Sequence, residues 1–365
     1  MNQTTVRAAV LPAPGEPVEI RELPAPEPEP DSCLLRVTYS EVCGTDVHLQ
    51  HGRLAGVPYP LIPGHVSAGT IEKLRGQVRD VEGRPLSEGQ AVTFLDVHKT
   101  CGRCWYCLVA KASTRCPARK VYGITYGLAD GWAGGWCEVV YLRPGTRVLP
   151  LEGVEPRRFM AGGCGLPTAV HAVERAEIRL ADSVLVLGTG PVGLSAIGVC
   201  AAQGAGRIMA IGGPANRLAA AGAMGAAHVL DVAATTERQR LEWVREHTAG
   251  RGADVVIEAT GSPPAVVQAM RFARDAGRVV IVGQYTDCGE TALNPHLDLN
   301  RKHLEVRGCW GCDFSHLHRG LEYLRHGSLA SRWDSIELAT FDLADAQKGL
   351  DAVASGRVVK ALIRP

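Results

Sequence analysis

The sequence predicts an α/β protein in two parts: a β-rich N-terminal part, then a doubly wound parallel sheet with helices on both faces. Three observations carry that prediction. Up to about residue 155 the chain holds only short β-rich runs between Gly- and Pro-rich turns. Beyond it, continuous Val/Ile/Leu runs alternate with helix-like segments. A glycine-rich turn joins the first such run to its helix. At 365 residues the chain exceeds one ordinary core, which supports two domains.

In the first part the β-rich runs are Cys33–Ser40, Ala91–Leu95 and Cys137–Leu142, and the four prolines of Pro24–Pro30 mark a surface connection. In the second part strands are predicted at Ser183–Leu187, Ile208–Ile211, His228–Val232, Val255–Glu258, Val279–Val282 and near Leu304–Arg307. Helices are predicted at Leu194–Gln203, Arg217–Met224, 241–249 and 265–274. After residue 309 come two helical segments and a last strand, Val358–Ile363, a tail able to return to the first part.

Composition excludes several classes. Apolar residues make up 46% and charged residues 21%, as in a soluble globular protein. A net charge of +1 without a basic run gives no reason to bind nucleic acid. The longest apolar runs are strand-length, too short to cross a membrane. The start, Met1–Thr5, lacks the pattern of an export signal, so a cytoplasmic location and reduced thiols are expected.

Gly188-Thr189-Gly190-Pro191-Val192-Gly193 is a G-x-G-x-x-G between a strand and a helix, the context in which that motif binds a dinucleotide. Gly188 permits the turn, Gly190 lets the backbone approach a pyrophosphate, and Gly193 lets helix and strand pack closely. The free N–H groups at the helix start then face the phosphates. The next strand ends Ile211-Gly212-Gly213-Pro214 and carries no carboxylate for the adenine ribose. Arg217, one turn into the following helix, can meet either a ribose hydroxyl or a 2′-phosphate, so NAD(H) and NADP(H) both stay open.

Four of the 12 cysteines fall in Cys101-x2-Cys104-x2-Cys107-x8-Cys116. Four thiolates from one short loop suit a closed tetrahedral structural zinc. An iron–sulfur cluster uses the same ligands, but nothing else in the chain points to electron transfer.

The chain resembles the zinc-containing medium-chain dehydrogenases, which include alcohol, polyol and threonine dehydrogenases. The resemblance rests on Cys43-Gly44-Thr45-Asp46-x-His48, Gly64-His65, the cysteine cluster, Gly163-Cys164-Gly165 and the Gly188–Gly193 turn, in family order and over nearly the whole chain. It implies a GroES-like catalytic domain over 1–166 and 309–365, and a Rossmann dinucleotide-binding domain over 167–308. It implies two zinc ions, one structural and one catalytic. The catalytic ion is expected on Cys43, His65 and Cys164, three protein ligands with one open position. It implies hydride transfer between an alcohol, or the matching aldehyde or ketone, and the nicotinamide. Thr45 and His48 would relay the proton, histidine titrating in the range that duty needs. Asp46 would orient a ligand imidazole, that of His65. Thr168 would face the nicotinamide and Lys360 the pyrophosphate. A homodimer or homotetramer is expected. Val66 departs from the pattern, since relatives often carry glutamate after the ligand histidine. The competing expectations are a polyol-, amino-alcohol- or threonine-type enzyme, a zinc-free reductase of the same fold, and a non-catalytic scaffold.

Overall fold

The computed structural model describes residues 5–365, so all of the Met1–Thr5 start except Thr5 lies outside the described residues. Contacts divide the chain into two compact units. The first holds residues up to Gly163 together with Asp313–Leu321 and Glu337–Pro365. The second holds Cys164–Cys312 and Glu322–Ile336.

The first unit is built on a seven-stranded sheet. Its longest strand, Ser32–Val42, pairs antiparallel with Ser67–Arg75 on one side. On the other side it pairs with Val139–Leu142 and with the C-terminal strand Lys360–Arg364. The last strand is therefore interior, flanked on its far side by Leu338–Asp342 in parallel. The core gathers Leu35, Ile71, Phe94, Trp136, Leu350 and Ile363. Two short helices set the positions of site residues: Gly44–Gln50, which follows the long strand, and Pro156–Gly162, which leads through Gly163 to Cys164.

The second unit is the predicted doubly wound sheet. Six strands, Ser183–Leu187, Arg207–Gly212, His228–Asp231, Ala253–Glu258, Ala273–Ile281 and Glu305–Gly308, pair in parallel throughout. Their spatial order is third, second, first, fourth, fifth, sixth. That order places the topological switch point beside the first strand, whose end bears the glycine-rich turn. Helix starts are set by local chemistry that periodicity misses. The helix predicted from Leu194 begins at Pro191, proline fitting the first helical position. The one predicted over 241–249 spans Glu237–Glu246, because Thr236 and Gln239 form a reciprocal cap: Thr236 Oγ1 accepts from the Gln239 N–H (3.3 Å), and Gln239 Oε1 accepts from the Thr236 N–H (2.9 Å).

The C-terminal tail does not return whole to the first unit. Residues 322–336 belong to the second. Trp333 is fully buried there against Gly198, with Tyr323 edge-on to its ring, and Arg332 donates to the Met224 carbonyl at 2.8 Å. A large aromatic in a polar stretch has to be buried somewhere, and the glycine at 198 leaves the space.

Candidate functional site

Two groups of side chains converge as metal ligands do. The donor atoms of Cys101, Cys104, Cys107 and Cys116 all lie within 4.8 Å of one another, and so do those of Cys43, His65 and Cys164.

The four-cysteine group forms on one loop. Sulfur–sulfur approaches run 3.5 Å for Cys104–Cys107, 3.6 Å for Cys116–Cys101 and 4.0 Å for Cys104–Cys116. The Cys101 N–H also donates to Cys116 Sγ at 3.2 Å. The Arg103 N–H, then Cys104, holds the Cys101 thiol down to about 6. Desolvation, then Cys104, pushes the Cys107 thiol up to about 11. Four sulfurs this close repel one another as thiolates, so a cation is the partner that lets all four be charged together. Zinc fits that donor set.

The second group is assembled from three segments. Cys43 lies between the long strand and the helix Gly44–Gln50. His65 stands two residues before the strand Ser67–Arg75, and Cys164 follows the helix Pro156–Gly162 and its Gly163 cap. His65 is 4% exposed and its Nδ1 has no hydrogen-bond partner, so protein groups leave this ring under-satisfied. Burial disfavours its cation, yet Cys43, Asp46 and Asp96 raise the ring to about 10. Two sulfurs and an imidazole suit zinc, and three protein ligands leave a position open.

Asp46 is 1% exposed and holds two of those segments together. Its Oδ2 accepts from the Cys43 N–H at 2.8 Å and its Oδ1 from the Gly64 N–H at 3.2 Å. It was expected to grip the His65 ring. Instead both oxygens go to backbone amides and the ring feels only the charge. Burial lifts the Asp46 carboxyl to about 7, against the pull of His65 and the two amides. Thr45 is buried, its hydroxyl 3.7 Å from Cys43 Sγ. His48 is half-buried on the same helix, and burial and Arg53 lower its pKa.

In the second unit, Gly188 adopts φ +99, and a Cβ there would stand 2.6 Å from the Ala259 carbonyl oxygen. A Cβ at 193 would collide with Gly188, whereas Gly190 faces open space, as a turn that admits a ligand requires. Pro191 and Val192 open the helix Pro191–Ala202. The missing carboxylate has a steric cause: a Cβ on Gly212 would fall 2.4 Å from Thr189 Oγ1, which accepts from the Gly213 N–H at 3.0 Å. Arg217 is half-buried in the first turn of Ala215–Met224. Thr168 Oγ1 donates to the Cys164 carbonyl at 2.8 Å.

Lys360 was expected at the pyrophosphate. Its ammonium is instead 1% exposed inside the first unit, 2.7 Å from Glu41 Oε1, and donates to the Gly162 carbonyl at 3.1 Å. The interior strand it opens takes it out of solvent. Glu41 itself was missed; its only signal is an acidic residue near the end of a long β-rich run, two positions before Cys43.

Residues 29–153 match the family model described as an alcohol dehydrogenase GroES-like domain, and residues 191–324 match one described as a zinc-binding dehydrogenase. The chain is 33% identical over 362 residues to a 5-exo-hydroxycamphor dehydrogenase of Pseudomonas putida, covering 98% of each chain. Among solved structures it is similar to an alcohol dehydrogenase of Thermotoga maritima, at 29% identity and a TM-score of 0.93 over 99% of this chain and 100% of that one. It is also similar to a putative zinc-binding dehydrogenase of Sinorhizobium meliloti bound to NADP, at 26% identity and a TM-score of 0.84 over the full length of both.

Proposed function

Since this chain belongs to the zinc-binding alcohol dehydrogenases with a GroES-like domain, we propose that its catalytic centre is the group Cys43, His65 and Cys164, and that Cys101, Cys104, Cys107 and Cys116 hold a second, structural zinc. The chain is an oxidoreductase that moves a hydride between an alcohol and a nicotinamide cofactor. The observation that carries the site assignment is the approach of two sulfurs and one imidazole to within 4.8 Å, from three separate segments.

Zinc bound there supplies Lewis-acid chemistry, easing loss of an alcohol's proton and polarising a carbonyl in reverse. The remaining steps fall to the chain. Thr45, beside Cys43, relays the alcohol proton: its hydroxyl oxygen accepts that proton while its own hydroxyl proton moves on towards His48. His48, kept neutral by its lowered pKa, passes that proton to solvent. Asp46 keeps the Cys43 and His65 segments in register through their amides. The Gly188–Gly193 turn holds the pyrophosphate, with the N–H groups of Val192 and Gly193 at a helix start as donors. Thr168 and Arg217 complete the cofactor contacts, at the nicotinamide and the adenosine end. Residue 212 offers no carboxylate against a 2′-phosphate, so both NAD(H) and NADP(H) are admitted at that position. We place the protein in the cytoplasm as a homodimer or homotetramer. Among the described residues no helix is long and apolar enough to cross a membrane.

The test is metal analysis joined to turnover of a panel of alcohols and carbonyls with NAD(H) and with NADP(H). Two zinc ions per chain and nicotinamide-linked turnover are expected. One zinc ion or none in undamaged protein counts against the site assignment.

A further inference from the structure

Glu41 and Lys360 are each 1% exposed, and their charged ends meet at 2.7 Å. Removing two such ions from water is costly, so a bare ion pair is a poor way to stabilise a core. Its position is more informative than its strength. Glu41 touches all three segments that carry the proposed ligands. It lies two residues before Cys43 on the same strand. Its N–H donates to the Val66 carbonyl at 2.9 Å, one residue beyond His65. Its carboxylate and the Lys360 ammonium enclose Gly163, the residue before Cys164. A Cβ at 163 would stand 2.1 Å from Glu41 Oε2 and 2.4 Å from Lys360 Nζ.

Gly163 has φ +48 and ψ −137, a conformation costly for other residues. It turns the chain from the helix Pro156–Gly162 to Cys164. Lys360 fixes the carbonyl before that turn, at Gly162. Trp136 Nε1 fixes the Glu41 carbonyl at 2.9 Å. The carboxylate itself is not part of the group formed by Cys43, His65 and Cys164. Val66 supplies no charge after His65, and the acidic group beside the Gly163 turn is Glu41.

We propose that the Glu41–Lys360 pair is a positioning device for Cys164: it clamps the Gly162–Gly163 turn and ties it to the segments of Cys43 and His65, so that the three ligands are held at metal-binding distance before the ion arrives. This inference rests on the assignment of those residues as the catalytic zinc site. Loss of the carboxylate loosens the third ligand and leaves a buried ammonium unopposed beside the Gly163 turn.

The test uses the full-length protein. Glu41→Gln is compared with wild type, and with Arg278→Met as a control that breaks a buried ion pair in the second unit, Arg278 to Asp182 at 2.6 Å. Two quantities are read: the affinity of each zinc by competition with a chromophoric chelator, and the thiolate-to-metal charge-transfer absorption after cobalt replaces the more exchangeable zinc. Glu41→Gln is expected to weaken that metal by about 10–100-fold, the range for groups that orient ligands, and to alter the cobalt spectrum, while the four-cysteine metal stays bound. Arg278→Met is expected to lower stability and leave both readouts alone. Unchanged affinity and spectrum in Glu41→Gln overturn the inference. Should that variant fail to fold, Glu41→Asp, which keeps the charge and shortens its reach, is read by the same two criteria. A wild-type chain holding only the four-cysteine metal overturns the site assignment and this inference together. Two metals with an unaffected Glu41 variant overturn the inference alone.

Discussion

The two proposed zinc groups offer the same chemistry, sulfur-rich and fit for zinc, yet they are made in opposite ways. Cys101, Cys104, Cys107 and Cys116 come from one loop and need little of the fold to meet. Cys43, His65 and Cys164 come from three segments, brought together by Asp46 on one side and by the Gly163 turn on the other. A local group closes its own shell and stabilises a lobe. An assembled group can be left one ligand short, because the fold and not the metal holds it open.

The largest expected effect separates these roles. Cys43→Ser removes one assembled ligand, and turnover should fall by about 10³-fold or more, as loss of several kcal/mol of charge stabilisation implies. The thermal midpoint should barely move, and the protein should keep one zinc. Cys104→Ser should do the reverse. Loss of a structural metal is among the few large destabilising changes, so a drop on the order of 3 kcal/mol, or roughly 6–12 °C in Tm, is expected with turnover per folded molecule retained. Chelator titration sharpens the same contrast: activity should disappear with the first zinc released and cooperative unfolding with the second. Activity lost only together with the fold would mean that the two groups are not separate in function.

How much of each group could be read in the sequence follows from the same difference. The cysteine loop is legible because its spacing is its geometry. The glycine-rich turn is legible for the same reason, Gly188, Gly190 and Gly193 each meeting a local steric demand. Cys43, His65 and Cys164 are legible only through resemblance, since nothing in their spacing says that they meet. What holds them was less visible still. Lys360 at the start of a final strand looks like a solvated cation until that strand is found between Ser32–Val42 and Leu338–Asp342. Its partner Glu41 lies near the opposite end of the chain. The exchange of 322–336 into the second unit depends on Trp333 finding Gly198, a long-range fit that no periodicity reports. The carboxylate missing after the second strand was read as an open question of cofactor choice, but its cause, Thr189 filling the space above Gly212, needed coordinates.

A smaller effect tests whether the assembled group depends on its backbone clamp. Asp46→Asn keeps the shape. It offers one acceptor and one NH2 group to two N–H donors, so either Cys43 or Gly64 meets a donor instead of an acceptor. Zinc at that group should weaken by about 10–100-fold, with the four-cysteine zinc unaffected. Equal weakening of both metals would show general unfolding rather than loss of the clamp.

The smallest effect concerns the proposed proton path, which only the assembled group would require. The His48 pKa lies below its usual 6.5 because burial, Arg53 and His51 disfavour the imidazolium, Cys43 opposing them. A lowered pKa keeps the ring neutral, and able to accept a proton, across neutral pH. Alcohol oxidation should therefore rise with pH through a limb centred below 6.5 and then level off as far as His48 is concerned. His48→Gln should remove that limb and slow oxidation on the order of tenfold, less than for a base acting on the reacting atom itself, because solvent can replace the final station of a relay. Both zinc ions and the thermal midpoint should stay at wild-type values. A His48→Gln enzyme that keeps the acidic limb assigns the limb to another group and takes His48 out of the path, leaving Thr45 to deliver its proton elsewhere.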